Sequence, residues 1–357
     1  MKEIVFIIGS LDMGGAERVI STLANDFCKE YKTTVVTILS NKYEYKLDNS
    51  INVVNLSENE TNRILKLPGL LRGLSRIFKK LDKKNSVIVS FVARINIIVL
   101  IANMFIRVPL ILSERNDPKN DGRSHFIRLL TAILYKMSDR IVFQTAYAKN
   151  LFSKAIQKMS IVIYNPASVE AEKSTDNERE EIVTAGRLAN QKNHILLINS
   201  FNRIHDKYSE YTLSIYGVGP LKNQLEKHII SLNLQDRVIL KGNSFDLHKE
   251  IADSAIFVMS SDYEGQSNAL LEAMMMGLPC IATNTPGTDE LLNEKNSMLV
   301  DVGDEQQMAD AIEYLIQNPN IRKEIGGNAK KVISLIGKDI IISQWKLLIA
   351  DVIINEK

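Results

Sequence analysis

At 357 residues the chain is too long for one ordinary hydrophobic core, and its 45% hydrophobic and 24% charged residues are typical of a folded globular protein. The net charge of +2 hides an asymmetry: residues 1–165 hold 25 Lys+Arg against 14 Asp+Glu, and the remainder 19 against 28, which argues for two units facing different partners. Two distant cysteines, Cys28 and Cys280, exclude a cysteine metal cluster, and an apolar stretch that runs only from Ile95 to Ile106 excludes a membrane span, which needs about 20 residues.

The chain opens with no secretory signal: the apolar run Glu3–Ile8 reads as a strand leading into the glycine turn "GSLDMGGAERV" and then an amphipathic helix. That turn has Gly9-x4-Gly14, but Gly15 and Ala16 replace the Lys and hydroxyl of a phosphate-binding NTPase loop, and the dinucleotide pattern Gly-x-Gly-x-x-Gly is absent. What remains is a Gly14-Gly15 pair at a helix start, where free amides suit a phosphate or sugar hydroxyl; a tight βα turn without ligand is the alternative. Further strands are read at residues 33–39, 86–92, 109–114 and 140–146, with helices at 124–138 and 147–155 and a closing "MSIVIYNP". Strand–helix alternation of this kind predicts an open parallel sheet covered on both faces.

From Arg63 to Lys84 the sequence holds eight Lys/Arg and one acid, with Leu, Ile and Phe at helical spacing. A basic amphipathic helix fits docking on an anionic membrane surface; the alternative is an apolar stripe buried in the domain.

Residues 168–181, polar and acidic, read as a linker. A second strand–helix alternation then fills 182–337, so the expected domains are 1–167 and 182–337, with a final helix at 338–357 completing the first. Two doubly wound Rossmann-like α/β units would place their ligand beyond the strand ends, in a cleft where they face each other. In the second unit, "GRLANQKN" follows a strand and presents Arg187 and Lys192, a fork and an ammonium suited to a diphosphate. Further on, "SSDYEGQSNALLEAMMMGLP" runs from a strand end through Glu264 and Gly265 to a helix capped by Ser267 or Asn268 and ended by Gly277. Amides at Gln266, Ser267, Asn268 and Ala269 can receive an anion, and Glu264 and Glu272 can accept sugar hydroxyl protons; Glu272 is costly to bury without a partner. The three methionines read as core.

These stretches, together with "IYGVGPLKNQLEKHIISLNLQDRVILKG" and the opening "GGAERVISTLAN", resemble family-4 glycosyltransferases of GT-B fold. The resemblance, which spans about residues 4–330, implies a retaining transferase that moves a hexose or N-acetylhexosamine, GalNAc first, from a UDP-sugar to a glycan acceptor. It implies Glu272 on the donor ribose, Glu264 near the transferred sugar, Arg187 and Lys192 on the diphosphate, and Gly15 approaching the phosphates. Glu17, Arg115 and Asn116 are expected on the acceptor side. Many members carry a His after the "PLIL"-type strand; here "SERNDP" offers Arg115 or Asn116, and an Arg cannot serve as an ordinary base. "SERNDP" also resembles enzymes of bacterial capsule and exopolysaccharide synthesis and those that extend lipid-linked oligosaccharides by GalNAc.

No Asp-x-Asp pair exists and the five His are unclustered, so no metal and no cofactor is expected. The expected partners are a UDP-sugar, an undecaprenyl-diphosphate type acceptor and the membrane surface, not nucleic acid; the expected location is peripheral, on the cytoplasmic face of a bacterial membrane. The alternatives are a nucleotide-sugar epimerase or hydrolase of the same fold, or a catalytically weak sugar-nucleotide-binding protein.

Overall fold

The computed structural model describes residues 2–12, 14–40, 44–56, 63–173 and 178–354, of which 63–66 only as helix backbone. The chain divides into two compact units, Met1–Pro166 with Lys338–Lys357, and Ala167–Gly337. No helix among the described residues is long and apolar enough to cross a membrane.

The first unit is built on seven parallel strands: β1 (Glu3–Ile8), β2 (Lys32–Thr37), β3 (Asn52–Asn55), β4 (Ser86–Phe91), β5 (Leu110–Glu114), β6 (Arg140–Phe143) and β7 (Ser160–Val162). Their order is β3-β2-β1-β4-β5-β6-β7, so the winding reverses between β1 and β4. Apolar β-branched residues on both strand faces require cover on both sides. Phe6, Phe27 and Val89 pack with the helix Lys338–Ile354 on one face, where Trp345 stacks on Phe91 at 5.9 Å. The helices Arg63–Phe78 and Ala93–Asn103 cover the other.

The second unit repeats the pattern with β8 (Arg179–Ala185), β9 (Thr212–Tyr216), β10 (Val238–Gly242), β11 (Ser254–Met259), β12 (Cys280–Thr283) and β13 (Met298–Val300). The order β10-β9-β8-β11-β12-β13 again reverses after the first strand, here between β8 and β11.

Three expectations change. The stretch 168–181 is not a free linker throughout: Arg179–Glu181 already belong to β8. Lys173 donates to the Ser254 carbonyl at 2.7 Å and pairs with Glu178, because burial of the ammonium demands partners. Its residues 174–177 lie outside the described residues, as do 355–357 of the final helix. The helix Ala93–Asn103, unread in the sequence, is apolar on nearly all sides because it is buried on nearly all sides, which erases a 3.6-residue signal. Finally, the stripe of the basic helix Arg63–Phe78 lies in the core: Leu70, Leu74 and Phe78 are buried. This corrects the expectation of an apolar face there for lipid; its cations, Arg72 and Arg76, remain exposed.

Candidate functional site

In an open parallel sheet, the strand ends flanking the winding reversal leave a crevice for ligands. The two motifs of the second unit leave the carboxyl ends of the two strands at that point: "GRLANQKN" follows β8 and "SSDYEGQSN" follows β11. The structure ties them together. Lys192 Nζ lies 2.5 Å from Glu264 Oε1, which also accepts from Ser261 Oγ at 2.8 Å. Gln191 donates to the Tyr263 carbonyl at 3.0 Å, Asn193 to Asp262 at 2.7 Å, and Ser260 Oγ to the Lys192 carbonyl at 2.9 Å. Asn193 takes a left-handed conformation (φ 40°) and its side chain caps the helix His194–Asn202. Glu264 is buried, and the ammonium of Lys192 compensates its desolvation. Arg187, five residues before Lys192 in the same motif, is exposed.

Two close backbone approaches fix the loops. A Cβ on Gly217 would sit 2.0 Å from the Gly186 carbonyl oxygen, and Gly217 is already at φ 133°. A Cβ on Gly287 would sit 2.1 Å from the Gly265 oxygen and 2.4 Å from that of Glu264. Only glycine lets either neighbouring turn lie against the motif backbone.

The helix Asn268–Met276 starts directly after Glu264–Ser267. Ser267 holds the cap position but its side chain makes no capping bond, and the positive end of the helix points at this loop. Gln266 and Ser267 are buried beneath this turn. Glu272, one turn inside, is buried and meets His248 Nε2 through Oε2 at 3.0 Å. Gly277 ends the helix at φ 87°, and the three methionines are core. Beneath the Arg187–Lys192 turn, His194 is buried; burial first, then the charge of Lys192, push its pKa down to about 4, so it stays neutral near pH 7.

In the first unit, Gly14 caps the helix Gly15–Phe27 in an extended conformation. The carboxylate of Glu17 folds over it: a Cβ on Gly14 would lie 2.2 Å from Glu17 Oε2. Burial raises the Glu17 pKa, and Asp12 adds to this. Across the winding reversal, Val92 follows β4 at φ 75°, a strained conformation for a β-branched residue. Asn116 is exposed, but Arg115 is 6% exposed. Its guanidinium lies 5.1 Å from the Phe91 ring centre and 5.6 Å from that of Trp345, and donates to Ser113 and Asn165 at 2.7 Å each. Burial lowers its pKa to about 9. Arg115, expected on the acceptor side, is thus packed against two aromatic rings and held by two side-chain oxygens.

Residues 168–332 match the sequence model of the family described as glycosyl transferases group 1. The chain carries a group 1 glycosyltransferase domain. Over 99% of its length and 99% of the relative's, it is 27% identical to a Campylobacter jejuni α-1,4-N-acetyl-D-galactosaminyltransferase named for GalNAc-α-(1→4)-GalNAc-α-(1→3)-diNAcBac-PP-undecaprenol. A second C. jejuni relative, an N-acetylgalactosamine-N,N'-diacetylbacillosaminyl-diphospho-undecaprenol 4-α-N-acetylgalactosaminyltransferase, is 28% identical over 92% of the chain and 94% of its own. Among solved structures, Anabaena HepE in complex with UDP superposes with a TM-score of 0.83 at 18% identity, covering 98% of this chain and 100% of that one. The two Rossmann-like units are those of the GT-B glycosyltransferases.

Sequence reasoning missed three polar groups of this glycosyltransferase. His248 lies 24 residues before its partner Glu272 and His194 lies just past "GRLANQKN", so no local spacing marks either. The third is a buried cluster at the end of β5. There Glu114 accepts from Arg123 at 3.1 and 3.3 Å and from the Tyr135 hydroxyl, which receives the Asn96 amide at 3.0 Å. Only the fold brings these four together, so no local spacing announces them.

Proposed function

We propose that this glycosyltransferase moves an N-acetylhexosamine or hexose, GalNAc first, from a UDP-sugar to a membrane lipid-linked glycan of undecaprenyl-diphosphate type, in bacterial capsule, exopolysaccharide or related glycan synthesis. The observation that carries the donor assignment is the joining of the Arg187–Lys192 and Glu264–Glu272 motifs at one winding reversal. Relatives named for undecaprenyl-linked acceptors support the acceptor class.

The chemistry follows from the side chains. Arg187 and Lys192 stabilise the diphosphate as it departs, joined by the positive end of the helix Asn268–Met276. Glu272, oriented by His248, accepts the ribose hydroxyls; Glu264 accepts a hydroxyl of the transferred sugar. Retention fits attack by the acceptor oxygen on C1 from the face that the diphosphate leaves, its proton passing to a departing phosphate oxygen. No covalent nucleophile is then needed. The two cations do the electrostatic work of a divalent ion, so transfer is metal-independent. The protein works at the cytoplasmic face of the membrane.

A panel of UDP-sugars scored by protection against thermal unfolding tests the donor. UDP-GalNAc and UDP are expected to raise Tm, and Glu272→Ala to remove the rise. An equal rise in Glu272→Ala contradicts the assigned role.

A further inference from the structure

The helix His125–Leu134 and the turn Tyr135–Met137 carry more apolar surface than the first unit covers. Its inward residues Ile127, Leu130, Thr131 and Leu134, at i, i+3, i+4 and i+7, already supply the packing stripe. Yet Phe126, Leu129, Ile133 and Met137, at i, i+3, i+7 and i+11 on the adjoining outward face, are 67%, 59%, 56% and 49% exposed. A shallow cavity lined by Met104, Arg107 and Met137 joins this ridge to the preceding turn, whose Phe105 is 91% exposed.

The exposed charges around the ridge are basic; Asp139, a carboxylate of the cavity lining, is partly buried and accepts from the Leu110 amide at 2.7 Å. Lys119, His125, Arg128 and Lys136 are exposed, whereas the carboxylates from Glu114 to Met137 are turned inward: Glu114 and Asp121 pair with Arg123, and Asp117 is buried. A single convex helix face with large apolar side chains, flanked by cations, matches an interfacial helix lying in a lipid surface. A two-fold contact with a second copy would bring the basic flanks Arg128 and Lys136 of both copies into one interface, which like charge disfavours.

We propose that Phe126, Leu129, Ile133 and Met137, flanked by Arg128 and Lys136, dock this protein on an anionic phospholipid bilayer. This surface takes the place of the basic helix Arg63–Phe78, whose stripe is internal. It deepens the reading of a membrane-borne acceptor, but its test needs neither donor nor acceptor.

The test is flotation of the full-length chain with vesicles of phosphatidylglycerol and phosphatidylethanolamine, and with phosphatidylcholine alone. Wild type is expected to float with the anionic vesicles and to stay behind with phosphatidylcholine. The variant F126S/L129S/I133S should lose at least tenfold in bound fraction, as should R128E/K136E, with Tm and UDP protection kept. R72E/R76E, on the other helix, should bind within twofold of wild type. Flotation of F126S/L129S/I133S like wild type would overturn the proposal, as would failure of folded wild type to float. A wild-type dimer that the triple variant dissociates, without lipid binding, would overturn it in favour of self-association. Intact flotation without UDP protection would sink the donor reading and leave this surface standing.

Discussion

Glu272 shows why a buried carboxylate needs a second residue to be useful. The imidazole of His248 at 3.0 Å meets the Oε2 oxygen and orients the carboxylate. Loss of a hydrogen bond to a charged group costs about 1.5–3 kcal/mol, so Glu272→Ala should weaken UDP binding by roughly 10- to 100-fold. His248→Ala should weaken it less, and the double variant should be no worse than Glu272→Ala; titration calorimetry decides, and full additivity would refute a positioning role. His194 makes a different prediction. Its folded pKa of about 4 lies below the ordinary histidine value of 6.5, so between these values the unfolded chain binds the extra proton. Its contribution to stability is therefore whole above pH 6.5, falls as the pH drops toward 4, and then levels off. The loss is about 3 kcal/mol. The stability of wild type minus that of His194→Leu, from urea titrations at stepped pH, should fall over that window; a flat difference would contradict it.

Elements divide by how much of their environment is local. The strand–turn–helix motifs around Glu264 were readable because glycine, capping residues and strand runs act over a few neighbours. Gly277 ends its helix in the left-handed conformation that its place before Leu278-Pro279 suggested. The helix Ala93–Asn103 and the short strands β3 and β13 were unreadable, one having no polar face and the others only four and three residues. The basic helix Arg63–Phe78 misled because an amphipathic pattern tells that a stripe is buried, not what buries it. Gly287 carries an element-scale prediction. Gly287→Ala forces a Cβ onto the Glu264–Gly265 backbone, and overpacking of this kind costs roughly 1–3 kcal/mol. UDP affinity should fall along with Tm. Gly303→Ala, at φ 82° with open space around it, should lower Tm with donor affinity unchanged. Equal losses of affinity in both would dissociate Gly287 from the site.

At the scale of the molecule, the doubly wound class was legible because both halves repeat strand and helix in the same rhythm. The membership of the last helix was less so. Trp345 joins the first unit only because the chain returns after the second, and its ring then stacks on Phe91 beside Arg115. That return also sets the surroundings of Arg115, which no local spacing in "SERNDP" could announce. The central claim is transfer rather than conversion or hydrolysis of a UDP-sugar, and release of UDP from UDP-GalNAc with and without a lipid-linked oligosaccharide extract tests it most directly. UDP release that depends on the extract, and drops by at least 100-fold in Lys192→Ala, is the predicted result. Release of UDP or interconversion of the sugar at the same rate without the extract would contradict it.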